Sequence, residues 1–338
     1  MSGRMNQAPP DRLQPDTINA HLANVYPALA MLAGMQLEVF TPLADGPRRV
    51  DALAAELNVA PDKLRPLLYA LVTAGLLSVD GEMFANTAES MAFLVRGTPR
   101  YLGGTAEAYA DLWSATLHTA QSIRTGIPQA RHDFARMSAD ELRAFIRGID
   151  AGAGATARRL HKDYALDSRR HLLDAGGGAG GLALALCGLC PGLQATVAEL
   201  PSVATITREC VAEAAADARV QVIEADLIAG PPAGRYDLAT LRAVLQVLSA
   251  REAQRVVTHV AAALEPGGEL FVIGRMLDDS RLSPPEAVAV NVMFLNVYEH
   301  GQAYTEREYR AWFSDAGLQQ ITRQALAGGY SILRGVKA

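Results

Sequence analysis

A glycine-rich turn between a predicted strand and a predicted helix is the feature that most constrains the fold of this chain. The stretch HLLDAGGGAGG at 171–181 starts as an apolar run, reaches Asp174 and continues through five glycines into the apolar residues LALAL. Glycine adopts backbone conformations that other residues avoid, and a helix N-terminus attracts polar ligand groups. This order predicts a nucleotide-type cofactor site. A tight turn without a ligand and a dinucleotide site remain alternatives, because glycine fingerprints give many false matches.

Acidic residues end three successive predicted strands. Asp174 ends the first, Glu199 in VAELP ends the second, and Asp226 in VIEAD ends the third. The carboxyl ends of neighbouring strands form the ligand crevice of a doubly wound sheet. An ammonium group, ribose hydroxyls and an adenine amino group would each match one of these carboxylates. We therefore expect S-adenosylmethionine (SAM) as the cofactor, rather than NAD.

Composition narrows the class of protein. The chain has 338 residues, 50% of them hydrophobic, which is enough for two domains with a large core. The net charge of −5 argues against a nucleic-acid surface. No signal-peptide core and no apolar run of membrane-spanning length is visible, which predicts a cytoplasmic protein without a membrane partner. A CxxC pair, Cys187 and Cys190, lacks the second pair of a zinc site, so we expect small core residues and no metal.

The pattern of elements predicts an α/β fold in four segments. These are a disordered tail at 1–14, a winged-helix dimerisation domain at 15–100, acceptor-pocket helices at 101–168 and a SAM-binding domain at 169–338. The last segment alternates strands and helices as a Rossmann-like, seven-stranded sheet does. Its strands are expected near 170–174, 194–199, 219–224, 236–241, 269–274, 320–325 and 329–336.

The winged-helix interpretation rests on residues 48–87. Asp51 is a candidate N-cap of one helix, Ala60-Pro61 opens a second, Gly75 ends it, and two short strands turn at Asp80-Gly81.

A DNA-binding regulator is the rival function for this segment. The would-be recognition helix carries only two basic residues, Lys63 and Arg65, both at its start, whereas base readout needs more. Its apolar face favours a homodimer formed by residues 17–100.

At this point the chain resembles a known family. LLDAGGGAGG, VAELPSV, EADL, YDLATLRAVLQVLS, ALEPGGELFVIG and YTEREYRAWFSDAGL occur in the order seen in class I methyltransferases. Specifically, residues 17–338 resemble small-molecule O-methyltransferases with an N-terminal winged-helix dimerisation domain. The resemblance implies SAM as cofactor, a homodimer and a small-molecule acceptor. It implies cofactor contacts from Asp174, Gly176, Gly178, Gly180, Glu199, Leu200, Asp226, Leu227 and Arg242.

One departure from the family pattern concerns the general base. The family usually reads Leu-His-Asp-Trp-Ser-Asp where this chain reads LQVLSA, so Gln246 replaces the histidine. Glutamine can orient an acceptor but cannot take its proton. Three interpretations stay open: a thioether acceptor that needs no base, a base supplied by Tyr304, His132 or His300, and loss of methyl transfer.

The missing base favours the thioether. The chain resembles bacterial enzymes of the same family that methylate 4-methylthio-2-hydroxybutyrate on sulfur, on the route to dimethylsulfoniopropionate. We therefore expect in-line S-methylation of a thioether hydroxy acid, with O-methylation as the alternative. A non-methylating relative and a winged-helix regulator are the other function classes.

A hydroxy-acid acceptor needs a cation for its carboxylate. Arg275 and Arg147 are the candidates, and a surface ion pair is the alternative for each. Further candidate pocket residues, for which ordinary core packing is the alternative, are Tyr109, Trp113, Met137, Asn291, Phe294, Asn296 and Tyr298.

Overall fold

The computed structural model describes residues 13–132, 134 and 136–338. The chain divides into two compact units, Met1–Ala106 and Glu107–Ala338. The division lies near the predicted end of the dimerisation domain at residue 100, and the expected acceptor-pocket helices belong to the second unit. Most of the predicted tail at 1–14 lies outside the described residues.

The first unit is mainly helical. Its elements are α1 Asp16–Gln36, α2 Val50–Leu57, α3 Pro61–Thr73, β1 Leu77–Asp80, β2 Met83–Asn86 and α4 Ala88–Phe93. Both α1 and α2 pack on α3, and side chains such as Leu53, Leu68 and Phe84 are buried between the elements.

The local signals in this unit behave largely as the sequence predicts. Gly75 follows α3 with φ of 76°, and the β1–β2 hairpin turns at Gly81 with φ of 57°. One detail was wrong: α2 begins at Val50 with Arg49 as its N-cap, so Asp51 lies in the first turn and does not cap the helix. There a carboxylate still interacts favourably with the helix dipole.

The second unit holds the large sheet and its covering helices. Its helices are α5 Ala106–Thr116, α6 Thr119–Thr125, α7 Ala139–Ile149, α8 Ala153–Asp163, α9 Gly181–Leu189, α10 Pro201–Glu213, α11 Ala250–Ala263, α12 Pro285–Val297 and α13 Glu306–Asp315. Its strands are β3 His171–Ala175, β4 Gln194–Glu199, β5 Val220–Glu224, β6 Tyr236–Arg242, β7 Leu264–Leu277, β8 Tyr304–Thr305, β9 Leu318–Ala325 and β10 Tyr330–Lys337.

The sheet has the order β5-β4-β3-β6-β7-β10-β9, with β8 paired to the end of β7. Strands β3 to β7 are parallel, whereas β10 runs antiparallel between β7 and β9. All seven expected strands are confirmed. The chain reverses its winding direction between β3 and β6, which brings the ends of β3, β4 and β6 to one crevice.

Two apolar cores cover the two faces of this sheet, because successive residues of a strand point to opposite sides. Leu173 belongs to the core under α11 and α13, whereas its neighbour Leu172 belongs to the core under α8 and α9. Cys187 and Cys190 are buried in the latter, as small core residues. Among the described residues, no helix is long and apolar enough to span a membrane.

Candidate active site

A cavity of about 220 Å³ lies at the carboxyl ends of β3, β4 and β6. Acidic residues and the glycine turn form part of its wall, and aliphatic and aromatic side chains form the rest. Residues that line it include Phe134, Phe145, Ile146, Ile149, Asp150, Asp174, Gly176, Gly178, Glu199, Leu200, Asp226, Leu227, Arg242, Val247, Leu248 and Tyr298.

Asp174 is a fully buried carboxylic acid at the end of β3. Its Oδ1 accepts a hydrogen bond from Thr240 Oγ1 over 2.8 Å, while Oδ2 has no hydrogen-bond partner among the described residues. Burial raises the pKa of Asp174 to about 6, although the Thr240 bond opposes the rise. A buried polar atom without a partner is costly, which is the usual sign of an atom kept for a ligand.

The glycine turn brings the backbone to the cavity. Gly176 and Gly178 have φ of 67° and 58°, and a Cβ at Gly178 would meet only Ile146, 3.9 Å away. Gly180 is the N-cap of α9, with φ of 82°, and a Cβ there would meet Thr207, Val197 and Val211. It is not among the described residues that line the cavity.

Glu199 ends β4 and is fixed by two backbone groups. Gly178 N donates to its Oε1 over 2.8 Å, and Leu200 N donates to its Oε2 over 3.0 Å. Burial raises the pKa of Glu199, and these two bonds oppose that rise. Each carboxylate oxygen has a second lone pair, so Glu199 can still accept two hydroxyl groups.

Asp226 and its neighbours form the third acidic part of the wall. Asp226 Oδ1 accepts a hydrogen bond from Ile228 N over 2.9 Å, which fixes the turn after β5. Leu227 is buried beside it, and Leu200 lies half exposed at the start of α10.

Arg242 and Asp150 form an ion pair at the cavity that sequence reasoning missed in part. Arg242 Nη1 lies 3.7 Å from Asp150 Oδ1, and Gly181 N donates to the same carboxylate. Burial raises the pKa of Asp150, whereas Arg242 lowers it. Asp150 follows α7 and does not lie at the end of a strand, where we looked for acidic residues. Only the amphipathic pattern of α7 could have indicated that Asp150 faces the cavity.

The cavity fits the cofactor that the resemblance implies. The unpartnered Oδ2 of Asp174 suits an ammonium group, and the two oriented oxygens of Glu199 suit a pair of ribose hydroxyls. The glycine backbone leaves room for close approach. No metal is needed for this match.

Gln246 is not among the described residues that line the cavity. It lies in the 3₁₀ turn Leu245–Val247, and its Oε1 accepts a hydrogen bond from Arg275 N over 3.3 Å on β7. The side chain is 9% exposed. Its amide is thus used to join the turn to the sheet, and the neighbouring Val247 and Leu248 line the cavity instead.

Two of the three alternative bases also lie elsewhere. Tyr304 is fully buried between Tyr309 and Trp312, and its hydroxyl donates to Leu248 O over 2.6 Å. Burial raises its pKa to about 12, so it keeps its proton. His300 is exposed and lines a separate groove beside α12. The third, His132, is not itself among the described residues that line the cavity, but it packs against two rings of the cavity wall, Phe145 and Tyr298.

The two arginines expected to hold an acceptor carboxylate have other partners. Arg147 makes two hydrogen bonds of 2.8 Å to Glu213 on α10. Arg275 stacks on Tyr330, with its guanidinium carbon 4.3 Å from the ring centroid, and donates to Gly328 O. We expected a carboxylate-binding role for each arginine from its own position alone. The partners that each one contacts lie far away in sequence.

Of the remaining pocket candidates, Tyr298 alone lines the cavity with the cofactor residues. Asn296 is buried and links α12 to α6 through Ser122 and Thr119. Phe294 packs in the core, and Asn291 accepts a hydrogen bond from Ala303 N.

Three candidates from the upstream helices lie outside the cavity lining. Met137 lines a second groove, which also borders Phe145. Tyr109 and Trp113 contact each other with ring centroids 5.7 Å apart, and Tyr109 is half exposed.

Comparison with known proteins agrees with this fold. Residues 116–319 match the O-methyltransferase domain and residues 21–96 match the O-methyltransferase dimerisation domain. The chain is 28% identical over its full length to 3-hydroxy-5-methyl-1-naphthoate 3-O-methyltransferase of Streptomyces sahachiroi, 99% of which is covered. It is also 28% identical, over 92% of its length and 94% of the relative's, to the tetracenomycin polyketide synthesis 8-O-methyl transferase of Streptomyces glaucescens.

A solved structure extends the similarity to the fold of the chain. Human N-acetylserotonin methyltransferase in complex with SAM is similar with a TM-score of 0.82 and 23% identity, covering 98% of this chain and 100% of that one. These comparisons do not support the expected subgroup that methylates 4-methylthio-2-hydroxybutyrate. The chain belongs to the O-methyltransferase family and is a SAM-dependent methyltransferase with an N-terminal dimerisation domain.

Proposed function

We propose that this chain methylates a hydroxyl oxygen of an aromatic small molecule. The observation that carries the proposal is the composition of one cavity, where three aromatic side chains share the wall with three strand-end carboxylates. Phe134 and Phe145 are in contact, with ring centroids 5.7 Å apart, and Tyr298 lines the same cavity. Aromatic walls bind planar acceptors through stacking and edge contacts.

The carboxylate part of the cavity is assigned to the cofactor. We assign Asp174 to the ammonium group of SAM, Glu199 to its ribose hydroxyls, and Asp226 with Leu227 to its adenine. When bound, the cofactor supplies a methyl group on a positively charged sulfur. Asp150 forms an ion pair with Arg242, so the positive charge of Arg242 is partly compensated where it borders the site. Apolar side chains such as Val247 and Leu248 exclude water from the acceptor.

The activities of two relatives support an oxygen acceptor. The Streptomyces enzymes named above are described as methylating a naphthoate and a polyketide on oxygen. Arg147 and Arg275, which we expected to hold the carboxylate of a thioether hydroxy acid, instead contact Glu213 and Tyr330. A naphthoate also carries a carboxylate, so this observation does not separate the two acceptors, and the thioether is included in the test.

The test is incubation of the purified protein with methyl-labelled SAM and a panel of acceptors. The panel holds hydroxynaphthoates and other phenols, an aliphatic hydroxy acid, and 4-methylthio-2-hydroxybutyrate. We expect label in an aryl methyl ether. Label in a sulfonium product, with none in the phenols, would overturn the proposal. Glu199→Ala should slow transfer to every acceptor at low SAM concentration, and a reaction without protein controls for non-enzymatic labelling.

We also propose that the working form is a homodimer. The match to a dimerisation domain at 21–96 supports it, and so do the exposed apolar side chains along α1, including Ile18, Leu22, Val25 and Leu29. These four residues lie on one side of the helix at a spacing of three or four, which is the pattern of a packed face.

A further inference from the structure

His132 is a buried histidine beside the aromatic wall of the cavity. Its side chain is 5% exposed, and its ring meets Phe145 edge-on at 4.8 Å and Tyr298 at 6.1 Å between centroids. The backbone holds it there, because His132 N donates to Val297 O over 2.9 Å at the end of α12. Both rings that contact His132 line the cavity.

A carboxylate lies against one nitrogen of this ring. His132 Nε2 is 2.7 Å from Asp111 Oδ2 on α5, although the angle is too poor for a hydrogen bond. Within the described part of the chain, neither ring nitrogen has an aligned hydrogen-bond partner. In enzymes without bound substrate, catalytic hydrogen bonds are often poorly aligned and tighten when the substrate binds. Leaving a buried imidazole unpartnered is otherwise costly.

We propose that His132, oriented by Asp111, is the catalytic base that takes the proton of the acceptor hydroxyl. The inference rests on the proposed function, since a thioether has no proton to give. With Nε2 facing Asp111, Nδ1 is left to accept the proton. The acceptor oxygen keeps the electron pair of its O–H bond and uses it to bond the methyl carbon, whose former bonding pair stays on the cofactor sulfur. The pair thus supplies the base that Gln246 cannot.

The other charged groups near His132 do not cancel this arrangement. Arg131 is paired with Glu299 over 3.1 Å, so its charge is largely compensated. Burial raises the pKa of Tyr298 to about 12, which keeps that hydroxyl neutral beside the ring. The groove that Asp111 lines also carries Glu107, Arg136 and Glu141.

The first test compares pH profiles of methyl transfer to a phenol. His132→Gln should lower kcat by roughly 100-fold or more, the range typical of a lost general base, and should remove the ascending acid limb of the profile. His118→Gln, a substitution of the exposed N-terminal residue of α6, is the matched control and should leave the profile unchanged. Asp111→Asn should lower kcat, because the imidazole loses the carboxylate that orients it.

The second test separates proton removal from structural damage. A phenol acidic enough to be ionised at the assay pH needs no base, so His132→Gln should lose far less rate with it than with an ordinary phenol. SAM affinity and melting temperature should remain those of the wild type in both His132→Gln and Asp111→Asn.

The outcomes distinguish this inference from the proposed function. If phenols are methylated and His132→Gln keeps both the rate and the acid limb, the base assignment is overturned while the function stands. An equal loss in His132→Gln with ionised and neutral phenols would also overturn it. If only the thioether is methylated, the proposed function fails first, and the base assignment fails with it.

Discussion

Thr240 donates a hydrogen bond to Asp174 Oδ1 over 2.8 Å, while the second oxygen of this buried carboxylate has no hydrogen-bond partner in the described part of the chain. This one hydrogen bond orients the carboxylate, but it does not offset the free-energy cost of removing the carboxylate from water. The group that can bind a ligand therefore lowers the stability of the protein without its cofactor.

The first prediction concerns stability at the Asp174 position. Its pKa is raised to about 6, so the folded protein holds this proton more tightly than the unfolded chain does. The stabilising contribution is therefore complete below about pH 4 and is lost as the pH rises through about 6. Asp174→Asn should stabilise the cofactor-free protein at pH 8 by roughly 2–3 kcal/mol, and by about half as much at pH 5, where the unfolded carboxyl is ionised but the folded one is mostly protonated. Chemical denaturation at both pH values measures this, and an equal difference at the two would contradict it.

The same variant should bind SAM poorly. A neutral amide cannot replace the carboxylate that we assign to the ammonium group, and the loss should be about 1.5–3 kcal/mol. In the wild type, affinity should fall below about pH 6 as Asp174 becomes protonated. Calorimetric titration across pH 5 to 8 tests both statements. Affinity that is independent of pH in the wild type would remove Asp174 from the binding site.

The next prediction uses two glutamates that are register partners. Glu199 on β4 pairs with Glu224 on β5 in the parallel ladder, but Glu224 is exposed and bridged to Arg208 over 3.0 Å. Glu199→Ala should weaken SAM binding by about 2–3 kcal/mol, because two hydrogen bonds to ribose are lost. Glu224→Ala should leave the affinity unchanged. Similar affinities of the two variants would exclude the ribose assignment.

For Gln246 we predict that substitution changes the stability of the protein but not its catalytic mechanism. Its side chain joins the turn after β6 to β7 through Arg275 N. Gln246→Ala should therefore lower the free energy of unfolding by about 0.5–1.5 kcal/mol and change kcat/KM for a phenol by less than about threefold. Gln246→His should not raise the rate. A tenfold rise in KM for the acceptor in Gln246→Ala would place this amide in the acceptor pocket after all.

A final prediction concerns assembly. Leu22→Glu in the exposed apolar face of α1 should convert a homodimer into a species of 36.0 kDa in light scattering at micromolar concentration. Ala20 lies on the opposite side of the same exposed helix, so Ala20→Glu should leave the dimer intact. A wild-type protein that already scatters as a monomer would contradict the dimer.

The sheet could be predicted from the sequence because each buried strand carries its own apolar run and turn signals. The two-residue strand β8 has no such pattern, and only its neighbour β7 defines it. Asp174 and Glu199 were accessible to prediction because strand ends converge in this topology. The partner of Arg147 could not be predicted in this way. Its guanidinium binds Glu213, which belongs to another helix and becomes its neighbour only on folding.

For Gln246 and His132, the identity of the residue in the sequence does not predict which groups its side chain contacts. The substitution of a histidine by Gln246 is visible in the sequence, but the direction of the new side chain is decided by a backbone N–H on β7. The contact between His132 and Asp111 joins a loop to a helix through packing against Phe145. No periodicity or short motif encodes such a contact.

The antiparallel strand β10 has a consequence for the chain during synthesis. It fills the space between β7 and β9, so one whole edge of β7 stays unpaired until the ribosome has made residues 330–337. Before that moment the nascent protein exposes a long and strongly apolar strand edge, LFVIGRML, of the kind that recruits other chains. The yield of active enzyme should therefore depend on chaperones and on growth temperature more than the stability of the finished fold would suggest.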